Sequence, residues 1–203
     1  SAAVAHLRGA DPVLRAVLDE VGVDRLGDSR AGRPEDHYGA LVRSIVGQQL
    51  STRAAQAIWL RLLAHFDGRP PTAEEILAAD PETLRAAAGL SRAKTTYLRS
   101  LAEHVLDGSL ELDRLEQLDE DAGMAELVAV KGIGEWSAHM FLMFQLHRPD
   151  VLAPGDLGIR RAIQVAYALA ELPAPAEVIR IAEPWRPHRT EACLYLWRSL
   201  DAV

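Results

Sequence analysis

The chain has 203 residues, of which 49% are hydrophobic, and this is enough for one sizeable core or for two small lobes. Its single cysteine, Cys193, excludes an internal disulfide, a cysteine-ligated iron–sulfur cluster and a multi-cysteine zinc site, and no apolar run approaches the roughly 18 residues that span a bilayer. The net charge of -7 argues against a high-affinity, nonspecific nucleic-acid binder, but it leaves open a protein with one electropositive docking face.

Helix start signals recur along the chain, whereas strand signals are nearly absent. Asp11-Pro12 predicts the start of a first helix, and a second is predicted from Asp36 to Val46. Four more helix starts are indicated by Ser51, the capping box Thr72-Ala-Glu-Glu75, Asp80-Pro81 and Ser91. Further helices are predicted at about residues 120–128, 135–146, 156–170, 176–182 and 187–200. The sequence therefore predicts an all-α protein.

A tight turn, Gly132-Ile133-Gly134, separates two of the predicted helices. Two glycines in such a turn allow positive φ angles and a close approach of the backbone to a ligand. The N–H groups that begin the second helix point outward with the helix dipole behind them, which suits a phosphate. A plain interhelical turn is the alternative, and Gly-x-Gly alone does not decide between the two.

About twenty residues further on, Pro154-Gly155-Asp156 predicts a turn leading into a helix from Leu157 to Ala170. Asp156 would be the N-cap of that helix, and an ordinary capping aspartate is the simplest interpretation. The N–H groups of a helix N-terminus favour an ionised carboxylate. Since an oxocarbenium-like sugar requires such an anion at the rim of a cleft, a catalytic role is the alternative.

The hairpin followed by the Pro-Gly-Asp loop resembles the helix-hairpin-helix (HhH-GPD) DNA glycosylases, whose loop ends in the catalytic aspartate. The stretch Ile45-Val-Gly-Gln48-Gln49-Leu50-Ser51 resembles the segment before the hairpin in the DNA-3-methyladenine glycosylase II, or alkylation-repair, branch. The C-terminal helix of that branch is similar to Ala182-Glu-Pro-Trp-Arg-Pro-His-Arg189 with Leu194-Tyr-Leu-Trp197. The resemblance spans roughly residues 11 to 200, with the three signatures in order.

The resemblance implies a catalytic carboxylate at Asp156 and a pocket for an extruded base. The pocket positions are Trp136, Trp197, Gln48 and Met140, the last standing where some relatives have an aromatic residue. Stacking on the two tryptophans would hold the base. A place in the core is the alternative for both tryptophans, because each lies in an apolar helix.

The resemblance also implies contacts to DNA and to an ion. The hairpin backbone at Gly132, Ile133 and Gly134 is expected to grip a DNA phosphate, and Gln49 or Leu50 to fill the gap left by the base. A monovalent cation, Na⁺ or K⁺, is often held in this family by hairpin carbonyls, which here belong to Val128, Val130 and Ile133. No cofactor is expected to be required.

The resemblance implies a monofunctional DNA glycosylase that flips alkylated purines of the 3-methyladenine and 7-methylguanine type out of duplex DNA and excises them by hydrolysis in base excision repair. Bifunctional relatives carry a nucleophilic lysine two residues after the second hairpin glycine, where this chain has Trp136, so lyase chemistry is not expected. The alternatives are a non-catalytic hairpin module that binds distorted DNA and a purely structural helical domain.

The expected architecture is a single HhH-GPD unit over residues 1–203, with two helical lobes and a DNA cleft between them. The hairpin lobe would span about residues 37–148, and the second lobe residues 1–36 and 149–203. Larger relatives have an additional N-terminal domain, and we expect this chain to be a compact form without it. We further expect a monomer that binds double-stranded DNA containing alkylated bases, with no membrane contact, in the cytoplasm near the bacterial nucleoid.

Overall fold

The computed structural model describes residues 1–22 and 36–200, and within these ranges it contains helices and no β-strand. The prediction of an all-α protein is therefore confirmed. The α-helices of the described residues are α1 (Ala2–Ala10), α2 (Pro12–Val21), α3 (His37–Gly47), α4 (Thr52–His65), α5 (Ala73–Ala78), α6 (Pro81–Ala88), α7 (Arg92–Leu106), α8 (Glu120–Ala129), α9 (Glu135–Phe144), α10 (Leu157–Ala166), α11 (Pro175–Ala182) and α12 (Arg189–Leu200). None of these helices combines the length and apolar character needed to cross a membrane.

The helix starts that the sequence indicated are capped by the predicted side chains. Ser51, Asp80 and Ser91 each accept a hydrogen bond from the backbone N–H three residues further on. Thr72 and Glu75 form the reciprocal capping box, in which each side chain accepts from the other residue's N–H. Each cap contributes about 1 kcal/mol to stability, so these local signals define where the helices begin.

The helix after Asp156 is shorter than predicted. It ends at Ala166 and not at Ala170, because Ala168 takes a left-handed φ of 51°. The N–H of Ala168 then donates to the Val165 carbonyl, and the N–H of Leu169 donates to the Gln164 carbonyl. Glycine usually occupies this kind of C-terminal cap, so the alanine gave no stop signal. Helix α1, which is capped by Ser1, was not predicted either.

The chain divides into two compact units, one comprising Ser1–Ala31 and Leu142–Val203 and the other Gly32–Phe141. In the first unit, α12 packs against α10 and α2. In the second unit, α7 packs against α3, α5 and α6. The sequence-based division placed the boundaries at about residues 37 and 148, and the predicted cleft between two lobes stays a prediction.

In the first unit, α12 holds the segment that leads from α9 to Asp156. Arg189 is buried, and its Nε donates to Oδ1 of Asp150 at 2.7 Å. Thr190 Oγ1 donates to the Arg148 carbonyl at 2.6 Å and accepts from the Val151 N–H at 3.0 Å. Burial raises the pKa of Asp150, but the hydrogen bonds and charge of Arg189 outweigh it and hold that pKa below its ordinary value. The segment is thus anchored by a partly buried ion pair before it reaches the Pro-Gly turn.

Candidate functional site

The hairpin in the second unit runs from the end of α8 to the start of α9. Val130 and Ile133 are buried, and the Ile133 N–H donates to the Val130 carbonyl at 3.0 Å. Gly132 has a φ of 93°, whereas Gly134 does not have a positive φ. Of the two glycines, which both allow positive φ, only Gly132 uses that freedom. Two apolar side chains anchor the turn, and Gly134 is exposed at its outer end.

Helix α7 packs directly beneath Gly132. A Cβ atom built on Gly132 would lie 2.2 Å from Cγ of Tyr97 and 2.7 Å from Cβ of Tyr97. The adjacent Lys131 N–H donates to Oγ of Ser100 on the same helix at 3.2 Å. Two features therefore require glycine at position 132: the positive φ of its backbone and the Tyr97 ring packed against it.

Gln48 connects the end of α3 to the hairpin. Its Nε2 donates to the Gly132 carbonyl at 2.8 Å, and Ser137 Oγ lies 3.4 Å from the same nitrogen. The sequence predicted Gln48 as a pocket residue, whereas the structure places its amide nitrogen on the hairpin backbone. Contact with a base stays a prediction. The hydrogen bond explains how two segments 84 residues apart are held in register.

The next two residues form an exposed turn. Gln49 has a left-handed φ of 57°, which is uncommon for a residue other than glycine, and the Leu50 N–H donates to the Gly47 carbonyl at 3.3 Å. Gln49 is exposed and Leu50 is 38% exposed, so both side chains are presented outward. Backbone strain of this kind concentrates at functional turns. The choice between Gln49 and Leu50 as the gap-filling residue stays open.

A groove of about 590 Å³ lies along the hairpin and brings several predicted residues together. Its lining includes Gln48, Gln49, Lys94, Tyr97, Lys131, Gly132, Ile133, Gly134 and Trp136. Among the described residues, two lysines and no carboxylate line this groove. The protein as a whole carries a net charge of -7. The groove is therefore locally electropositive, as a phosphate-binding face requires.

Sequence reasoning missed Lys94 and Tyr97 as parts of the hairpin site. Lys94 Nζ donates to the Val46 carbonyl at 2.6 Å, and burial lowers the pKa of Lys94. Tyr97 is half-buried on α7 and lies against Gly132. Neither position carries a local signal, because each role depends on a segment distant in the chain.

Trp136 and Met140 lie on α9 in the second unit. Trp136 is 54% exposed, which excludes the core interpretation for this residue. Its side chain lines the groove beside the hairpin. Met140 is half-buried. The assignment of both residues to a base pocket stays a prediction.

Asp156 caps α10 in the first unit, as predicted. Its Oδ1 accepts one hydrogen bond from the Ile159 N–H at 2.8 Å and a second from Nε1 of Trp197 at 2.8 Å. Asp156 and Trp197 are both half-buried, and the Trp197 ring centroid lies 6.1 Å from that of Phe144. Donors from α10 and α12 thus hold the carboxylate of a residue that is partly exposed. Such a group can stabilise positive charge or orient a water molecule.

Comparisons with known proteins place this geometry in context. The profile of the HhH-GPD superfamily of base excision DNA repair proteins matches residues 42–187, which include the hairpin and Asp156. The chain is 34% identical to DNA-3-methyladenine glycosylase 1 of Schizosaccharomyces pombe, over 96% of this chain and 85% of that protein.

Two solved structures are similar over nearly the whole chain. The DNA-3-methyladenine glycosidase of Bacillus halodurans has a TM-score of 0.86 and 35% identity, covering 98% of this chain and 89% of that one. The 3-methyladenine DNA glycosylase Mag1 of Schizosaccharomyces pombe, solved in complex with abasic DNA, has a TM-score of 0.82 and 34% identity. That match covers 98% of this chain and 96% of the other.

Proposed function

Since the chain belongs to the HhH-GPD superfamily of base excision DNA repair proteins, we propose that it is a DNA-3-methyladenine glycosylase. It hydrolyses the N-glycosidic bond of an alkylated base in DNA and leaves an abasic site. The observation that carries this proposal is the Asp156 carboxylate, held at the start of α10 by Trp197 and the Ile159 amide in a chain with the hairpin. The abasic DNA bound to the Schizosaccharomyces pombe relative is the product of such a reaction and supports DNA as the partner.

The chemistry requires little from the protein beyond an anion and a pocket. A purine alkylated at N3 or N7 is cationic and already a good leaving group, so acid catalysis contributes little. As the bond to C1′ breaks, positive charge develops on the sugar, and a nearby carboxylate stabilises it. Asp156 supplies that anion and orients, or deprotonates, the attacking water. The water oxygen bonds to C1′ as the bond to the base breaks, the cationic base leaves as a neutral molecule, and the proton of the water passes to Asp156 or to solvent. The DNA backbone stays intact.

The finer substrate preference follows from the exposed aromatic surface. Trp136 is 54% exposed and lines the groove beside the hairpin, and indole faces attract electron-poor, cationic rings. This supports 3-methyladenine and 7-methylguanine as substrates in double-stranded DNA. The absence of lyase activity is supported by Trp136 itself, because it occupies the position of the nucleophilic lysine in bifunctional relatives. We expect the enzyme to act as a monomer.

The hairpin is proposed to grip the DNA backbone. The groove beside it carries Lys94 and Lys131, and the exposed Gly134 allows a phosphate to approach the start of α9 closely. Gln49 or Leu50 then enters the gap left by the flipped base, which offsets part of an unstacking cost of a few kcal/mol. Binding to undamaged DNA should be weak because it rests on few phosphate contacts, and it should weaken as salt rises because those contacts are electrostatic.

A monovalent cation at the hairpin is a further part of this proposal. The last carbonyls of a helix lack donors within the helix and carry its negative partial charge, which suits a cation. The Val128 carbonyl lies in the last turn of α8, and the Val130 carbonyl, bonded to the Ile133 N–H, retains a second lone pair. With the Ile133 carbonyl, these oxygens would hold Na⁺ or K⁺. The ion would supply positive charge beside the phosphate.

The test is release of free bases from methylated duplex DNA by the wild-type protein and by Asp156→Asn, against a sample without enzyme. Only the wild type should release methylpurines above the spontaneous rate, with the variant slower by at least about 100-fold. Strand breaks should appear only after alkali. Release by neither protein, with DNA binding retained, would instead favour a non-catalytic module that binds distorted DNA.

The hairpin is tested by comparing Gly132→Ala with Gly134→Ala. A Cβ on Gly134 meets nothing within 4 Å, so this variant should fold with wild-type stability and lose DNA affinity only by crowding the phosphate. Gly132→Ala should lose both stability and affinity, because its Cβ collides with Tyr97. Wild-type affinity in Gly134→Ala would argue against close approach of the backbone to DNA at this position.

A further inference from the structure

The indole N–H of Trp197, at the edge of its ring, donates a hydrogen bond to the proposed catalytic carboxylate of Asp156. We propose that Trp197 is a positioning residue, whose indole N–H fixes the orientation of the Asp156 carboxylate. We also propose that residue 158 is glycine because this approach leaves no space for a side chain. The inference rests on the proposed glycosylase function, because it assigns the residue that prepares Asp156 for the reaction.

Two donors from separate elements converge on one oxygen of Asp156. The Ile159 N–H belongs to the first turn of α10, and Nε1 of Trp197 belongs to α12, yet both lie 2.8 Å from Oδ1. Hydrogen bonds to an ionised acceptor are roughly twice as strong as neutral ones. An ordinary cap needs only the backbone donor. The second donor restricts rotation of the carboxylate, which a helix cap alone does not require.

Gly158 provides an independent observation. An ideal Cβ at this position would lie 2.9 Å from Cδ1 of Trp197, 3.0 Å from Oδ1 of Asp156 and 3.1 Å from Nε1 of Trp197. The backbone of Gly158 is helical and has no positive φ, so its conformation does not demand glycine. Glycine within a helix costs about 1 kcal/mol relative to alanine. The close approach of indole and carboxylate gives the reason for accepting that cost.

A second indole–carboxylate pair in the same unit serves as an internal reference. Trp185 Nε1 donates to Oδ2 of Asp11 at 2.9 Å, and Asp11 is likewise an N-cap. The chemistry of the two bonds is the same, but Trp185 is fully buried and Trp197 is half-buried. Trp185→Phe therefore removes a matched hydrogen bond without touching Asp156.

The first experiment separates the N–H of Trp197 from its ring. Trp197→Phe removes the donor and part of the ring, whereas incorporation of 3-benzothienylalanine at position 197 keeps the ring and replaces only the N–H by sulfur. The single-turnover rate of 7-methylguanine release is measured with saturating enzyme, alongside the Kd for duplex DNA containing an abasic-site analogue. Both replacements should lower the rate about tenfold or more and change the Kd by less than about threefold.

Trp185→Phe is the control and should release 7-methylguanine at the wild-type rate below its melting temperature. A wild-type rate for the benzothienylalanine protein would overturn the proposal, because the ring and not the N–H would then be the functional part. An equal loss of rate in Trp185→Phe would overturn it as well. Gly158→Ala should also slow release about tenfold, since it displaces the indole, and a wild-type rate would contradict the role given to Gly158.

A measurement without substrate separates this inference from the proposed function. In a ¹H–¹⁵N spectrum, the indole resonance of Trp197 is identified by its loss in Trp197→Phe. That resonance should move in Asp156→Ala and in Gly158→Ala, and stay in place in Asp11→Ala. A resonance unchanged in Asp156→Ala would overturn the positioning role. A protein that shows the shift but releases no methylpurine would contradict the glycosylase function alone.

Discussion

Two aspartates of the first unit have nearly the same local structure and lie in different environments. Asp11 begins α2, and Asp156 begins α10. Asp11 accepts two backbone N–H groups of its helix and Asp156 accepts one, and each also accepts an indole N–H from a distant tryptophan. Asp11 is only 8% exposed, and its partner Trp185 is fully buried. Asp156 and its partner Trp197 are both half-buried.

The difference shows that a cap becomes a candidate catalytic group through its surroundings and not through its own geometry. Asp11 is also bonded to the Tyr167 hydroxyl, so its carboxylate is used entirely within the fold. Burial raises the pKa of Asp11, but the hydrogen bonds from Tyr167, Trp185 and the backbone outweigh it and lower that pKa below 3.8. Asp156 follows an exposed Gly155 and is itself only half-buried, in contrast to the buried Asp11.

The largest effect is expected from removing each carboxylate in turn. Asp11→Ala should lower the free energy of unfolding by about 4 kcal/mol, because it removes a cap and leaves buried donors without an acceptor. Asp156→Ala should lower it by only about 1 kcal/mol, the contribution of a cap. Urea denaturation measures both values. An equal loss of unfolding free energy in the two variants would show that Asp11 and Asp156 contribute equally to stability, and would contradict the distinction between them.

A smaller effect is expected when each indole donor is removed. Trp185→Phe should destabilise the protein by about 2 kcal/mol, since a buried charged acceptor loses a hydrogen bond. Trp197→Phe should cost less than about 1 kcal/mol, because water can replace the lost donor at a half-buried site. Thermal melting under one buffer condition gives the comparison. A larger shift for Trp197→Phe than for Trp185→Phe would contradict it.

Acidification should remove the stability that ionised Asp11 contributes to the folded state. The pKa of Asp11 in the folded state lies below its ordinary value of 3.8, so ionised Asp11 contributes stability above that pH. This contribution is lost as the pH falls through the folded-state pKa. The stability difference between wild type and Asp11→Asn should therefore shrink as urea titrations move from pH 5 towards pH 2. A difference independent of pH in this range would show that ionised Asp11 contributes nothing.

The smallest effect is expected at Gly155, in the turn before Asp156. A Cβ at this position meets nothing within 4 Å and the φ is not positive, so Gly155→Ala should change stability by less than about 0.5 kcal/mol. Gly22, which ends the helix begun by Asp11, has a φ of 76°, and Gly22→Ala should cost about 1 kcal/mol. Urea denaturation measures the stability of both variants. A larger loss of stability in Gly155→Ala than in Gly22→Ala would contradict the open space around Gly155.

The helix caps and the hairpin turn could be predicted from the sequence. Asp11, Ser51, Thr72 and Asp156 begin helices because a short polar side chain reaches a backbone N–H only a few residues away. The hairpin was likewise indicated by its two glycines, although only Gly132 adopts a positive φ. Such features depend on neighbours in the chain, so their signals are complete within a few residues.

The contacts that assemble the site could not be predicted in the same way. Trp197 reaches Asp156 across 41 residues, and nothing in its own helix distinguishes a bond through the ring edge from stacking on the ring face. The sequence of α7 does not indicate that the Tyr97 ring packs against Gly132. The early end of α10 also depends on a left-handed alanine, Ala168, which carries no sequence signal. Tertiary packing decides each of these outcomes.

The bond between Gln48 and the Gly132 carbonyl ties the end of α3 to the hairpin. Gln48 immediately precedes Gln49 and Leu50, the candidates for filling the gap left by a flipped base, and Gly132 lies in the turn that is proposed to bind a phosphate. If both proposed contacts form, one side-chain hydrogen bond fixes the distance between them along the DNA strand. The position of the displaced nucleotide would then be set by its distance from the bound phosphate, independently of the identity of its base.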